Sequence, residues 1–262
     1  MERKLKLYLC GSRGSCPVSG PEYQEFGCAT SCYVLRRGDY AVVVDCGSGL
    51  FRAQSVLEGC TQVDVLLTHL HYDHLIGLLH FSSFPSGARL RFFSRFDDWF
   101  GQESLSRFLS SPFWPHTPDF GTLRSVPQCQ AVPLCPEVCA EFRPSCHPDG
   151  ASLIKLTVED RRICFVCDYE HGAMTLQNWV AGCDLLLYDG AYSEEAYASR
   201  AGWGHSTWQM GCLLARRGSV KQLVITHHDP DSTDDMLRQA EREARAVFPN
   251  LCFAREGGVI TF

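Results

Sequence analysis

No stretch of this 262-residue chain approaches the roughly 18 consecutive apolar residues that a membrane-crossing helix needs. Basic character is missing too: 24 lysines and arginines stand against 30 aspartates and glutamates, a formal charge of −6. That balance argues against broad, nonspecific nucleic-acid binding. Linkers and low-complexity tracts are absent, so one domain over residues 1–262 is the expectation. The opening Met1-Glu2-Arg3-Lys4-Leu5-Lys6 is basic but runs into an alternating strand pattern, not a secretory apolar core. A cytoplasmic protein with no membrane partner is expected. Its 45% hydrophobic and 21% charged residues describe an ordinary globular composition.

Cysteine departs from that composition. Fifteen is a high and odd number, and in a reducing compartment it does not imply a disulfide framework. Cys164 and Cys167 form a CxxC inside an apolar strand pattern, where residues three apart face opposite sides and cannot easily share a metal. The spacings of Cys129, Cys135, Cys139 and Cys146 are unlike zinc ribbons, so these thiols are expected to be small hydrophobes.

The chemistry concentrates in Val65-Leu66-Leu67-Thr68-His69-Leu70-His71-Tyr72-Asp73-His74. The apolar run from Val63 to Leu67 reads as a buried strand. Alternation along an extended chain puts His69 and His71 on one side, within reach of one point. The spacing of Leu75, Leu78 and Leu79 predicts a helix just beyond, with Asp73 and His74 in its first turn. Imidazole and carboxylate together suit zinc, iron or manganese without thiolate.

Other elements fall around this segment. Leu5 to Cys10 is a strand ending in Gly11-Ser12-Arg13-Gly14-Ser15, whose backbone N–H groups could approach an anion. Ser31 to Arg36 and Tyr40 to Asp45 form a hairpin, and Asp45 is placed to brace a metal-binding histidine or to cap the turn. From residue 80 to 148 the chain reads as an irregular, aromatic-rich insertion. It holds Phe92, Phe93, Phe96, Trp99, Phe100, Phe108, Phe113, Trp114 and Phe120. Within it, Ser111-Pro112-Phe113-Trp114-Pro115-His116 is a candidate pocket wall or lid. Strands at Ala151 to Val158, Arg162 to Cys167 and Leu185 to Asp189 follow, the last two ending at Asp168 and Asp189. His147 sits in the turn before them. Gly202-Trp203-Gly204-His205-Ser206-Thr207 leads into a helix from about Trp208 to Arg217, capped by Ser206 or Thr207. Leu223-Val224-Ile225-Thr226-His227 echoes Val65-Leu66-Leu67-Thr68-His69. A last helix spans about Thr233 to Phe248, with Ser232 as cap and Met236, Leu237, Ala240, Ala244 and Val247 inward.

His69-x-His71-x-Asp73-His74 after an apolar strand resembles the signature of the metallo-β-lactamase-fold hydrolases. The resemblance implies an α/β architecture, a four-layer αβ/βα sandwich with two metals at the edge where its two sheets meet. The further order His147, Asp168, Gly204-His205-Ser206-Thr207, Thr226-His227 most resembles the branch containing ribonuclease Z and related phosphodiesterases. Carried over residue by residue, it implies one metal on His69, His71 and His147 and another on Asp73, His74 and His227, with Asp168 bridging. His205 matches that branch's extra, non-ligand histidine, and His228 remains an alternative to His227. Bacterial hydrolases of this fold with Gly-Ser-Arg-Gly-Ser, Gly-Trp-Gly-His-Ser-Thr and Thr-His-His-Asp-Pro are more similar still, and their activity is generally inferred to be phosphodiesterase-like.

This chain departs from them at Asp149, where a glycine is usual, and at Cys28-Ala29-Thr30, where Gly-Asn-Thr is usual. It also lacks a stretch resembling the glycine-rich, basic tRNA-gripping arm of ribonuclease Z.

These readings converge on a dinuclear metal-dependent phosphodiesterase for a small phosphodiester such as a cyclic nucleotide. The alternatives are a ribonuclease Z-like RNA-processing nuclease and a metal-binding sensor of the same fold without turnover. Two divalent ions per chain are expected, zinc first and manganese or iron next. Asp73 and His205 are the expected catalytic side chains, and a homodimer is the assembly considered.

Overall fold

Residues 4–95, 98–115, 122–172 and 175–262 are described by the computed structural model, with 98–101 described as backbone alone. Phe96, His116 and Phe120 of the aromatic stretch lie outside the described residues, as do the side chains of Trp99 and Phe100. The chain divides into two units. The first comprises Met1–Val18, Gly27–Val126 and Arg255–Phe262; the second comprises Ser19–Phe26 and Pro127–Ala254. Among the described residues, no helix is long and apolar enough to cross a membrane.

In the first unit, Lys6–Gly11 (β1), Cys32–Arg37 (β2), Tyr40–Val44 (β3), Gln62–Leu67 (β4), Arg89–Ser94 (β5), Leu123–Ser125 (β6) and the chain's last strand Gly258–Thr261 (β14) build one sheet. Its order is β14-β1-β2-β3-β4-β5-β6. The strands from β1 to β3 are antiparallel to one another, and those from β3 to β6 are parallel. Parallel strands need crossovers, which Leu50–Leu57 (α1), Tyr72–Leu75 (α2) and Asp98–Phe108 (α3) supply. Val63, Val65 and Leu67 take alternate positions on β4 and join Leu50, Ala53 and Leu57 of α1 and Leu105 of α3 in one apolar cluster.

The second unit repeats the plan with Ala131–Cys135 (β7), Val138–Pro144 (β8), Ser152–Val158 (β9), Arg161–Val166 (β10), Leu185–Asp189 (β11), Leu223–Thr226 (β12) and Leu251–Phe253 (β13). The order is β13-β12-β11-β10-β9-β8-β7. β7 to β10 are antiparallel neighbours, and β10 to β13 are parallel. Every residue of β11 and β12 is buried, as expected of parallel strands covered on both faces. Gln177–Val180 (α4), Glu194–Tyr197 (α5), Trp208–Arg217 (α6) and Asp234–Val247 (α7) complete the unit. Cys164 of the CxxC lies in its apolar cluster with Leu186, Ile225 and Cys212.

Three expectations are corrected. The stretch 80–148 is not one irregular insertion: it holds β5, α3, β6, β7 and β8 and is divided between the units. Its strands hide from pattern reading because β5 is parallel, β6 is three residues long, and β7 is an edge strand carrying Pro133. The helix after the motif is α for one turn and then continues as 3-10 turns over Ile76–Ser83, kinked at His80. There Gly77 donates to the Cys46 carbonyl at 2.9 Å, and a Cβ on Gly77 would meet the Gly47 carbonyl at 2.2 Å. Last, α7 is capped at Thr233 without a side-chain bond, and its inward face is rotated. Met236 and Val247 are exposed, while Asp234 and Glu241 are buried beside Leu237 and Ala244. Polar partners cause this: Asp234 accepts from the Glu25 and Phe26 amides, and Glu241 accepts from the Phe253 amide.

One buried charge tests the first unit's sheet. Asp64 is fully buried on β4 and sits opposite Arg91 of β5, whose Nε and Nη2 donate at 2.6 and 2.5 Å. The Tyr40 hydroxyl donates to the same carboxylate at 2.6 Å. Removing one partner of a buried pair strands the other charge. Arg91→Ala should therefore lower stability by about 3–5 kcal/mol in denaturant unfolding, whereas Asp64→Leu combined with Arg91→Met should recover most of that loss.

Candidate metal centre

At the end of β4 the chain turns through Thr68 into His69, and a buried carboxylate fixes that turn. Asp45 Oδ1 accepts from the Thr68 amide at 2.8 Å, and Oδ2 accepts from the Thr68 hydroxyl at 2.8 Å. Oδ2 also lies 2.8 Å from His74 Nδ1, so the imidazole donates there and turns Nε2 away from Asp45. Because the Thr68 hydroxyl is committed as a donor to Asp45, its oxygen accepts from His69 Nδ1 at 3.0 Å. That puts the His69 lone pair on Nε2. The brace expected of Asp45 is its role here. The His69 ring lies 4.4 Å from that of His71 and 4.3 Å from that of His74.

Asp73 and His74 occupy the first turn of α2 as the spacing predicted, with Asp73 Oδ2 3.2 Å from His74 Nε2. The Ser15 amide donates to Asp73 Oδ2 at 2.8 Å. The anion approached by the Gly11 to Ser15 loop is thus the chain's own carboxylate. A Cβ on Gly47 would meet the Asp73 carbonyl at 2.2 Å, so this crossing requires glycine. Nearby, Cys28 and Ala29 engage Glu256 through their backbone amides. Their side chains can therefore differ from Gly-Asn, while the Thr30 hydroxyl is retained as acceptor for the Ser48 amide.

In the second unit, Asp168 follows β10, Asp189 ends β11 and His227 follows β12. Asp168 Oδ1 lies 3.5 Å from His147 Nε2 and 3.3 Å from His227 Nε2, so one carboxylate oxygen stands by two imidazoles. His147 is oriented through Nδ1, 2.9 Å from the Pro148 carbonyl, in a turn where Asp149 adopts φ +59°. Aspartate tolerates that left-handed conformation, which explains how it stands where glycine is usual. His227 also adopts the left-handed region, at φ +60°. Its neighbour His228 turns into the core, with Nε2 2.9 Å from the Ala254 carbonyl and its ring stacked on Phe253. Of the two, His227 is the one beside Asp168.

His205 belongs to the same cluster. Donor atoms of His147, Asp168 and His205 lie within 4.8 Å of one another, and so do those of Asp189, His205 and His227. Its Nδ1 is 3.0 Å from Asp189 Oδ2. Burial pushes the imidazole toward its neutral form, but the charge and hydrogen bond of Asp189 outweigh that and raise its pKa. In the sequence Asp189 reads only as a strand end, because its partner lies sixteen residues further on.

No local motif marks Glu170, and its partners reveal its work. It accepts from the Gly202 and Gly204 amides at 2.7 Å each and from the Tyr197 hydroxyl at 2.5 Å. Burial raises its pKa, but these bonds outweigh it and hold the carboxyl below its ordinary range. The clamp matters because Gly204, at φ +89°, packs on His147: a Cβ there would lie 2.4 Å from the ring. Ser206 Oγ is engaged by His171 and by the Tyr188 hydroxyl, leaving Thr207 as the cap of α6, accepting from the Met210 amide.

Imidazole and carboxylate donors, oriented from behind by Asp45, Thr68 and Asp189, make a set that fits a divalent ion such as zinc, manganese or iron. A family profile described as the β-lactamase superfamily domain matches residues 40–228. The chain belongs to the β-lactamase superfamily. Among superfamily relatives, a ribonuclease Z of Metallosphaera sedula is 24% identical over 94% of each chain. A ribonuclease Z of Gemmatimonas aurantiaca is 38% identical over 74 residues, a match spanning 28% of this chain and 23% of that protein. The metallo-β-lactamase fold protein YhfI of Bacillus subtilis superimposes over the whole of both chains with a TM-score of 0.74 at 21% identity. A diphosphatase of the PhnP family does so with a TM-score of 0.72 at 17% identity, over 100% of this chain and 98% of that one. This superfamily member has the metallo-β-lactamase fold.

The Glu170 clamp gives a direct test. Hydrogen bonds to a charged group contribute about 1.5–3 kcal/mol each. Glu170→Ala should speed hydrogen exchange at the Gly202 and Gly204 amides by about 10-fold or more, while exchange in β10 and β11 stays as in the parent.

Proposed function

We propose that the protein is a dinuclear metal-dependent phosphodiesterase acting on a small phosphodiester, a cyclic nucleotide being the type case. His69, His71 and His147 hold one divalent ion, Asp73, His74 and His227 hold the other, and Asp168 serves both. Zinc is the ion this donor set suits first. The observation that most supports the reading is an imidazole beyond those needed as ligands. His205 is engaged through Nδ1 by Asp189 and clusters with His147 and Asp168. Hydrolysis of an activated bond has no need of such a group, whereas expulsion of a poor alkoxide leaving group does.

When bound, divalent cations supply Lewis acidity toward phosphoryl oxygens and lower the pKa of water, so that a nucleophile exists near neutral pH. The rest falls to the chain. Asp73, steadied by the Ser15 amide, orients the nucleophile and accepts its proton. His205 keeps Nδ1 on Asp189, which leaves Nε2 to donate a proton to the departing oxygen. The Asp189 carboxylate beside Nδ1 favours the imidazolium form that such a donor needs.

A second reading, an RNA-processing nuclease, is favoured by the ribonuclease Z relative that aligns over 94% of this chain. A panel of cyclic mononucleotides, cyclic dinucleotides, model phosphodiesters and pre-tRNA separates the two. Turnover of pre-tRNA alone would replace the first reading with the second.

Elemental analysis should find two divalent ions per active chain. His74→Ala and His227→Ala should each empty one position, and His71→Ala and His147→Ala the other. One ion or none in active protein refutes the dinuclear centre. His205→Ala should keep both ions and the fold yet lose on the order of 10²–10⁴ in kcat, the usual contribution of a general acid. The loss should shrink for a diester with a nitrophenolate leaving group, which needs little protonation. An equal loss for good and poor leaving groups would instead assign His205 to phosphate positioning.

A further inference from the structure

Beside the His69–His74 segment of the first unit lies a cavity of about 320 Å³, lined by Leu70, Tyr72, Leu75, Ser104, Arg107, Phe108 and Phe113. Two of these are large aromatics left in water: Tyr72 is 66% exposed and Phe113 67%. A single exposed apolar ring needs no explanation, but two on the walls of one cavity form a patch of the kind that marks a ligand site. Neither ring sits on a loose tether. Tyr72 opens α2, and its ring lies 5.5 Å from that of Phe108 at an interplanar angle of 57°. Phe113 stands in a turn closed by its own amide and that of Trp114, both donating to the Ser110 carbonyl at 2.9 and 2.8 Å.

The chemistry of the walls restricts the occupant. Arg107 supplies the cation at the rim, but it is paired with Glu103 at 3.0 Å. The rest of the wall is Ser104, the rings of Tyr72, Phe108 and Phe113 and the aliphatic Leu70 and Leu75. Such a surface suits a flat, uncharged ring, and the volume is near the lower end for small-molecule sites, enough for one ring system. Position ties it to the chemistry. Leu70 and Tyr72 belong to the same segment as His69, His71 and Asp73, so the cavity borders the stretch of chain that carries those side chains.

We propose that this cavity is the subsite for a planar aromatic group of the substrate, a nucleobase or comparable ring, stacked on Tyr72 and Phe113. The proposal rests on the phosphodiesterase reading for the phosphate that carries the ring. It assigns the wall role expected of the Phe113 segment and adds Tyr72, which the motif itself contains.

The test is calorimetric titration of the metal-loaded protein with adenosine monophosphate and with ribose 5-phosphate, which differ by the ring alone. Base–aromatic stacking implies that the parent prefers adenosine monophosphate by about 10-fold or more. Tyr72→Ala and Phe113→Ala should each remove most of that preference while leaving ribose 5-phosphate affinity unchanged, and Tyr72→Phe should retain it. Should Tyr72→Ala fail to fold, Phe113→Ala on the turn beyond α3 reads the same quantity. Equal affinity of the parent for the two ligands overturns the subsite, as does an equal loss for both ligands in the variants. The underlying reading fails separately. A protein that prefers adenosine monophosphate but hydrolyses no phosphodiester keeps the subsite and loses the phosphodiesterase. One that hydrolyses diesters without regard to the ring does the reverse.

Discussion

Everything at the end of β4 in the first unit hangs on where the Asp45 carboxylate is buried. With two oxygens it holds a backbone amide, a hydroxyl and an imidazole, joining the end of β4 to the first turn of α2. A carboxylate taken out of water is costly unless it is fully hydrogen-bonded, so these partners are conditions of the fold and not additions to it. The bonds also settle which nitrogen of His69 and His74 carries the proton. Orientation of the donors and stability of the turn are one set of interactions.

The second unit solves the same problem at the ends of three neighbouring parallel strands. β11 and β12 are buried along their length because both faces are covered, and β10 is buried from Ile163 onward after two exposed arginines. Asp168, Asp189 and His227 stand at or just past the carboxyl ends. Asp168 and His227 adopt left-handed backbone there, as Asp45 does beyond β3. Aspartate and histidine accept that conformation more readily than β-branched residues do. Chemical demand and backbone demand therefore select the same few residue types at these corners.

Contiguity decided what was legible in the sequence. An apolar run that stops in Thr-His or in Asp is a local signal, and it located β4, β10, β11 and β12 with their terminal residues. The boundaries of α6 were equally local, set by Thr207 before it and Gly218 after it. Pairings made across the fold left no such trace. Nothing near Glu170 announces that it will hold the 202–204 loop, and nothing near Asp189 announces His205. The buried face of α7 is hidden for the same reason: Glu241 looks like a solvent residue until the Phe253 amide is brought to it. Short parallel strands such as β6 carry too few residues for any period to show.

The order of the sheets along the chain has a consequence for how the protein is made. β14 pairs with β1, Lys6 opposite Thr261, so the first strand's neighbour on that side is synthesised after the whole sheet of the second unit. Ser19–Phe26 is likewise made early and belongs to the later unit, where Asp234 holds it. Neither unit can close on contacts from its own continuous segment. Pairings of such sequence separation are slow to form, and an unpaired edge on β1 is open to other chains meanwhile. Assembly is thus set by two late events at opposite ends of the sequence. A nascent chain paused before residue 251 would present an incomplete first sheet for as long as the pause lasts.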